Sequence, residues 1–457
     1  MSQVTEKSAP RPERRSQSYF GLAIAGLFVV LPAVLFYTIL FRTSLDLPFL
    51  DGYDGLDFMN RLTQLKGLYP KAQFVLAAQH GEYKVVFAEI LTWLQYSIMG
   101  HINFNVMSAL SNSFVLIIAL VLWKMFLPGH KDLNLRLALF IPASWLLFQL
   151  EYFEILNWGG SGLQHIPSTA FAFAAIYFLF QQTRIAFYGA LLCFILAVAS
   201  SGNGFFLFPI GLVALAPNRS YLRMVGWCIA CAGCIAVYSY HYNVMSSQAS
   251  PDHSIFSALL GLRPIFIISF IGSAASVPFP PASFVLGTSL CIFFFWMARR
   301  GYVRRNPAVS CCVLFLLLTA IGVAGIRSDL GLAGSTPSRY TLFSILFVIF
   351  AWFAIAEEFL QHSRVSLLNN TAYHGAVAVA VLFCLFMDSL NSIFIRNWDA
   401  KLIEGMTSFE HPNPPDSTIG PVIRLWKGDI DRDAFNAKAR IILFESIRLG
   451  VYRPPQL

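Results

Sequence analysis

Charge is scarce in this chain. Asp, Glu, Lys and Arg make up only 12% of its 457 residues, about half the usual share of a soluble globular protein. So few charges cannot cover a surface that faces water. Against that shortage stand 56% hydrophobic residues, 43 of the chain's residues being Phe, and a mean hydropathy of +0.62. Most of the outer surface must face lipid, so the expected fold class is an all-α polytopic membrane protein. A disulfide framework is also missing, since all eight cysteines fall inside or at the edges of apolar segments. Cys228, Cys231 and Cys234 read CxxCxxC, but without a His or carboxylate nearby they fit small packing residues better than metal ligands. There is no GxxxxGK[ST], no dinucleotide-binding glycine fingerprint and no HExxH, which argues against nucleotide chemistry. The net charge of +8 belongs to residues at the ends of apolar runs, where it sets topology. No nucleic-acid partner is implied.

Residues 1–18 are polar and basic and read as a disordered cytoplasmic tail. The run from Phe20 to Phe41 follows with no small-residue cleavage site, as in an uncleaved signal anchor. Further spans are expected at 105–126, 137–150, 167–181, 185–199, 205–216, 224–242, 282–298, 309–326, 339–360 and 372–390. The apolar stretches 85–99 and 258–276 are decided by charge. If both crossed, the cytoplasmic loops 100–104, 151–166, 200–204 and 243–257 would contain no Lys or Arg. The opposite loops would hold Lys131, Arg136, Arg184, Arg219 and Arg223. The positive-inside rule therefore makes both stretches re-entrant or juxtamembrane helices. About eleven transmembrane helices result, with the N-terminus cytoplasmic and the C-terminus extracytoplasmic. Residues 19–390 form the transmembrane domain, including an outer loop at 42–84, and residues 391–457 a small extracytoplasmic tail. Within that tail, 431–449 has the pattern of an amphipathic helix.

This topology gathers the polar features on the outer side. Asp51, Asp54 and Asp57 recur at three-residue spacing, which lines one face at a helix start and complements the dipole. They are either solubilising acids of an interfacial helix or a source of a general base at the membrane boundary, with Asp51 first and Asp54 second. Next come His80, Glu82 and Lys84, where the Lys either snorkels to the interface or joins His80 in holding a phosphate. The stretch Glu151, Glu154, Asn157, Trp158, Gln164 and His165 packs polar groups around glycines. Lipid would leave these groups unsatisfied, so they must face water or a cavity, and they are either a site that binds a sugar or an ion, which the density of polar groups favours, or a plain polar loop. Trp158 is placed to stack on a sugar ring or to sit as an interfacial anchor. Arg327, and Arg339 with Tyr340 at the start of a long helix, suit a lipid phosphate, or Arg339 is a boundary anchor paired with Asp329. A divalent metal is compatible with so many acids, but the spacing resolves no ligand set.

The order of first span, acidic loop and a polar-initiated stretch ending at Tyr96–Gly100 (YSIMG) resembles the GT-C superfamily of membrane glycosyltransferases. EYFEILNWGGSGLQ, SSGNG and SRYTLFSILF are similar to stretches of poorly characterised bacterial multi-pass members. The resemblance implies a GT-C-like fold and transfer of a hexosyl or pentosyl unit from a polyprenyl-phosphate donor to a cell-envelope glycan or lipid acceptor. It also implies a bacterial inner-membrane location among membrane lipids, with Asp51 or Asp54 as the base. The chain departs from the common pattern in carrying DxxD instead of adjacent acids, and Gln79-His80-Gly81-Glu82 where many members have Lys- or His-Pro-Pro. A polysaccharide polymerase or ligase, or a lipid-glycan transporter, is the alternative. The transporter fits less well, because ionisable groups concentrate at helix ends instead of mid-helix.

Overall fold

The computed structural model describes residues 13–80, 83–218, 220–243, 264–277, 279–327, 334–362, 371–410 and 432–455. Long apolar runs fold as helices because lipid leaves no partner for an unpaired backbone group. In chain order these are α1 (Glu13–Thr43), α2 (Asp51–Gln64), α3 (Leu68–Ala77), α4 (Val86–Met99), α5 (Phe104–Met125) and α6 (Leu133–Leu147). Then follow α7 (Phe153–Asn157), α8 (Gly159–Leu179), α9 (Arg184–Ser200), α10 (Leu207–Leu215) and α11 (Tyr221–Ser239). The last are α12 (Pro264–Ile271), α13 (Pro281–Arg299), α14 (Tyr302–Arg305), α15 (Pro307–Arg327), α16 (Ser338–His362), α17 (Thr371–Glu410) and α18 (Arg432–Arg448). One two-stranded hairpin, β1 (Gln79–His80) with β2 (Tyr83–Lys84), lies between α3 and α4. Side chains fix several helix starts. Asn103, Asp132 and Thr183 accept from the backbone N–H groups of Val106, Leu135 and Ala186, caps worth about 1 kcal/mol each.

Among the described residues, eight helices are long and apolar enough to cross a membrane: α1, α5, α6 with the turns after it, α11, α13, α15, α16 and α17. The protein is an all-α, membrane-embedded bundle. The expected spans on α8, α9 and α10 are helical but are not among these eight. α4 has 14 residues and reaches about 21 Å at 1.5 Å per residue, short of the ~30 Å hydrocarbon core. In 258–276, residues 258–263 lie outside the described residues, and the remainder is an eight-residue helix plus the short turn Ser273–Ala275.

Two expectations need correction. The tail reading of 1–18 holds at most for part of that segment, since α1 is already helical at Glu13, while 1–12 lie outside the described residues. The helix of the last span does not stop at 390 either: α17 runs 40 residues to Glu410, with no Pro to end it where the chain turns polar and with Gly405 taken into the helix.

The main core is aromatic, with Phe173 against Phe350 at 5.4 Å and Phe126 against Phe353 at 4.4 Å. Close helix approach is set by missing side chains. A Cβ on Gly162 of α8 would stand 2.5 Å from Ser111 Oγ of α5 and nearer still to the Ile155 carbonyl. A second, smaller core (Tyr53, Leu56, Met59, Val75, Val85, Phe104, Leu443 and Tyr452 among its members) builds a cap on one end of the bundle. The cap is tied from both chain ends. Asn60 of α2 donates to Ser446 Oγ of α18 (2.9 Å), Ile102 N–H to the Val451 carbonyl (2.7 Å), and the Tyr452 hydroxyl to the Asp46 carbonyl (2.6 Å). At the far end of α16, Arg305 pairs with Glu358.

Candidate functional site

The cap presents the first aspartates. α2 starts abruptly at Asp51 because Leu50 adopts φ 39°, a region that L-residues with side chains rarely occupy and that packing must hold. The hairpin, with Gln79 opposite Lys84 and His80 opposite Tyr83, then brings His80 to the acids. His80 Nε2 lies 3.2 Å from Asp51 Oδ1, and Nδ1 lies 3.5 Å from Asp54 Oδ2. Lys438 of α18 reaches Asp54 Oδ1 at 3.4 Å. Asp57 is committed elsewhere, to Arg61 at 2.8 Å.

Electrostatics favour a charged imidazole. Burial opposes its charge, but the hydrogen bond and charge of Asp51, with the fields of Asp54 and Glu89, outweigh burial and push the His80 pKa up to about 9. Glu89 of α4 is a member of this group that sequence reasoning missed. Its Oε2 is sealed from solvent without a partner. Burial, opposed by the His80 charge and reinforced by that of Asp54, pushes its pKa up to about 8. The signal was present, because Glu89 is the only charged residue in the apolar stretch 85–99, and such residues in membrane proteins are costly. The ligand atoms of Asp51, Asp54 and His80 lie within 4.8 Å of one another, close enough to surround a metal ion. With one ring nitrogen on each carboxylate the trio is already a closed ion-pair set, and we assign no metal to it.

The second polar stretch divides by role. Glu151 is buried, with Oε2 near Gln149 Nε2 (3.3 Å) and its carbonyl accepting from Ser338 Oγ (2.6 Å). Glu154 Oε2 accepts from the Arg339 backbone N–H at 3.3 Å, and the Arg339 guanidinium lies over the Tyr340 ring. The Asn157 carbonyl faces Ser108 Oγ at 3.4 Å. Trp158 is only 6% exposed and meets Phe49 edge-on at 5.0 Å. This corrects its reading as a sugar-stacking ring, because protein already covers the indole. Gln164 Oε1 accepts from the Tyr83 hydroxyl at 2.9 Å. Glu82 lies outside the described residues.

Lys84 also differs from expectation. Its amine is buried and donates to the carbonyls of Leu76 (3.1 Å) and Tyr240 (2.7 Å), and desolvation lowers its pKa. It ties the hairpin to the end of α11 and does not face the acids. This commitment corrects the phosphate-holding reading.

Two cavities border the second strand of the hairpin that carries His80, one at Tyr83 and one at Lys84. One, of about 240 Å³, is lined by Tyr83, His165, Asn203, Arg327, Tyr340 and Phe343 among others. The other, of about 300 Å³, is an apolar crevice lined by Ile195, Val198, Ala230, Cys234 and Val237, with Lys84 at one end. Tyr238 is common to both linings. Tyr83 and Gln164 stand between the first cavity and the aspartates, with His165, Arg327 and Tyr340 beyond them. Comparison with known proteins gave no matching family model, no matching curated protein and no matching solved structure.

Proposed function

We propose that this protein is a membrane glycosyltransferase. In this reading it moves a hexosyl or pentosyl unit from a polyprenyl-phosphate donor to a cell-envelope glycan or lipid on the extracytoplasmic face of a bacterial inner membrane. The reading takes the bundle as GT-C-like with eleven spans, α8, α9 and the stretch Gly202–Leu215 that contains α10 joining the eight. The N-terminus is then cytoplasmic and the C-terminus extracytoplasmic. It is supported by the charge asymmetry: Arg299, Arg300, Arg304 and Arg305 lie toward the end of α16 opposite Ser338, where Arg305 meets Glu358.

The observation that carries the proposal is the adjoining pair of cavities beside an acid–histidine cluster. The apolar crevice, walled by Ile195, Val198, Ala230 and Val237, suits a prenyl chain. The neighbouring cavity, lined by Arg327 and His165, suits a phosphate and a sugar, and Asp51 lies past Gln164. Asp51 takes the proton of the acceptor hydroxyl as its oxygen bonds to the anomeric carbon. The carbon–oxygen bond to phosphate breaks, the lipid phosphate leaves with the electron pair, and the anomeric centre inverts.

Mass spectrometry of surface glycans from parent, gene-deletion and Asp51→Asn/Asp54→Asn strains tests this, with expression checked by immunoblot. Loss of one sugar substituent in both altered strains is the expected result. A change in chain length or surface amount alone would transfer the assignment to a polymerase, ligase or exporter, and unchanged glycans would remove it.

A further inference from the structure

Glu89 and Asp51 line the same small cavity, together with Thr92 and Gln164. Its volume is about 20 Å³, and a polar space larger than about 10–15 Å³ holds one water. The polar walls are unequal in what they can offer such a water. Thr92 Oγ1 already donates to the Ala88 carbonyl at 2.9 Å, and Gln164 Oε1 is occupied by the Tyr83 hydroxyl. Asp51 Oδ1 faces His80. Glu89 Oε2 is buried with no partner within the protein, an arrangement that native proteins rarely leave unsatisfied. The charges whose fields reach Glu89 are His80, which favours its anion, and Asp54, which disfavours it, and Asp51 lies across the cavity. A third carboxylate among two aspartates, in an apolar helix, is best accommodated as the neutral acid, and a neutral acid is a donor.

We propose that Glu89 is a positioning residue of this site: as a protonated carboxylic acid it donates through one water in the shared cavity to Asp51. The contact holds the carboxylate by a second hydrogen bond besides that of His80 and keeps a third negative charge out of the cluster. This inference rests on the transferase reading only for its consequence, since the protonation of Glu89 and its water contact are properties of the resting protein.

Two substitutions in the full-length protein separate donor from charge. Glu89→Gln keeps a donor of the same length and no charge, whereas Glu89→Leu keeps the volume and removes the donor. Transfer to the surface glycan should stay within about threefold of parent in Glu89→Gln. It should fall about tenfold or more in Glu89→Leu, the scale of a lost hydrogen bond to a charged group. A Gln variant as impaired as the Leu variant would overturn the proposal, because the carboxyl itself would then be required. Where gene deletion does remove the sugar, two fully active variants would overturn it as well.

Infrared difference spectroscopy on purified protein gives a readout independent of any transferase activity. The parent at neutral pH should show the carbonyl stretch of a protonated carboxyl group, shifting on exchange into heavy water, and Glu89→Gln should lack it. No such band in the parent, or a band unchanged in Glu89→Gln, would refute the protonated state even if glycan transfer were intact. With the band present and no glycan affected in any strain, the transferase reading fails and the Glu89 assignment stands.

Discussion

Replacing His80 by Gln removes the one positive group that touches both aspartates. The magnitude follows from the geometry. A histidine held at about 9 instead of 6.5 favours its charged form by about 3 kcal/mol. Most of that comes from Asp51, which is 19% exposed and 3.2 Å away. Asp54 is 46% exposed and its share is screened by solvent. The sign is fixed by the raised pKa. Stability from this contact is fully present below pH 6.5, declines as pH rises, and is lost above about 9. Glu89 slopes the same way over a lower window, because a carboxyl raised to about 8 favours folding while protonated and loses that preference as pH rises from its ordinary range through 8. The informative quantity is therefore the difference between parent and His80→Gln. Denaturant unfolding of the purified protein in detergent, followed from pH 6 to pH 10, should show a parent advantage of up to about 3 kcal/mol at the acid end that vanishes at the alkaline end. A pH-independent difference would refute the ion-pair account and leave His80 as a packing residue.

Other parts of the site yield shorter tests. Gly233 lines the apolar crevice, and a Cβ there would meet nothing within 4 Å. Gly233→Trp should therefore leave folding and expression intact while filling the crevice, raising the KM for a lipid-linked donor with little change for the acceptor. Equal effects on both substrates would count against a prenyl chain in that crevice. Gly162→Val should do the reverse, destabilising by about 1–3 kcal/mol or more through overpacking between α5 and α8, read as a lower unfolding midpoint in detergent. An unchanged midpoint would show that these helices part freely.

The membrane class was legible in the chain because composition determines what a surface can face. So was the existence of each helix that the loops bracket, since runs such as 309–326 and 339–360 carry their own length and hydropathy. Helix ends were less legible. No Pro lies between Thr371 and Glu410, and Gly405 does not end the helix; hydropathy alone marks where a segment leaves lipid, not where it stops being helical. Of the candidate site, the pairing of Asp51 with Asp54 followed from their i, i+3 spacing. Their closure by His80 and Lys438 did not, because those residues lie on elements joined only by tertiary packing. Lys84 and Trp158 were read from residue type at a boundary, and type says nothing of direction. The Lys84 amine turns to the carbonyls of Leu76 and Tyr240, and the Trp158 indole to Phe49.

The same logic explains why the cap is built from both chain ends. Two neighbouring aspartates are favoured in their charged form by nearby positive groups. Here the hairpin supplies His80 and α18 supplies Lys438, while the holding is done by uncharged contacts: Asn60 on Ser446, Tyr452 on the Asp46 carbonyl, and Val451 beside Ile102. Lys438 is 62% exposed, and an exposed pair contributes at most about 1 kcal/mol. The ion pair therefore cannot be what anchors α18. Its effect falls on Asp54 itself, the more exposed of the two carboxylates, at 46% against 19% for Asp51. A double substitution, Lys438→Ala with Tyr452→Phe, separates the two roles. Tyr452→Phe should account for nearly all of the lost stability, about 1 kcal/mol, and Lys438→Ala for nearly all of any change in salt dependence. The opposite split would mean that charge, and not packing, holds the cap over the site.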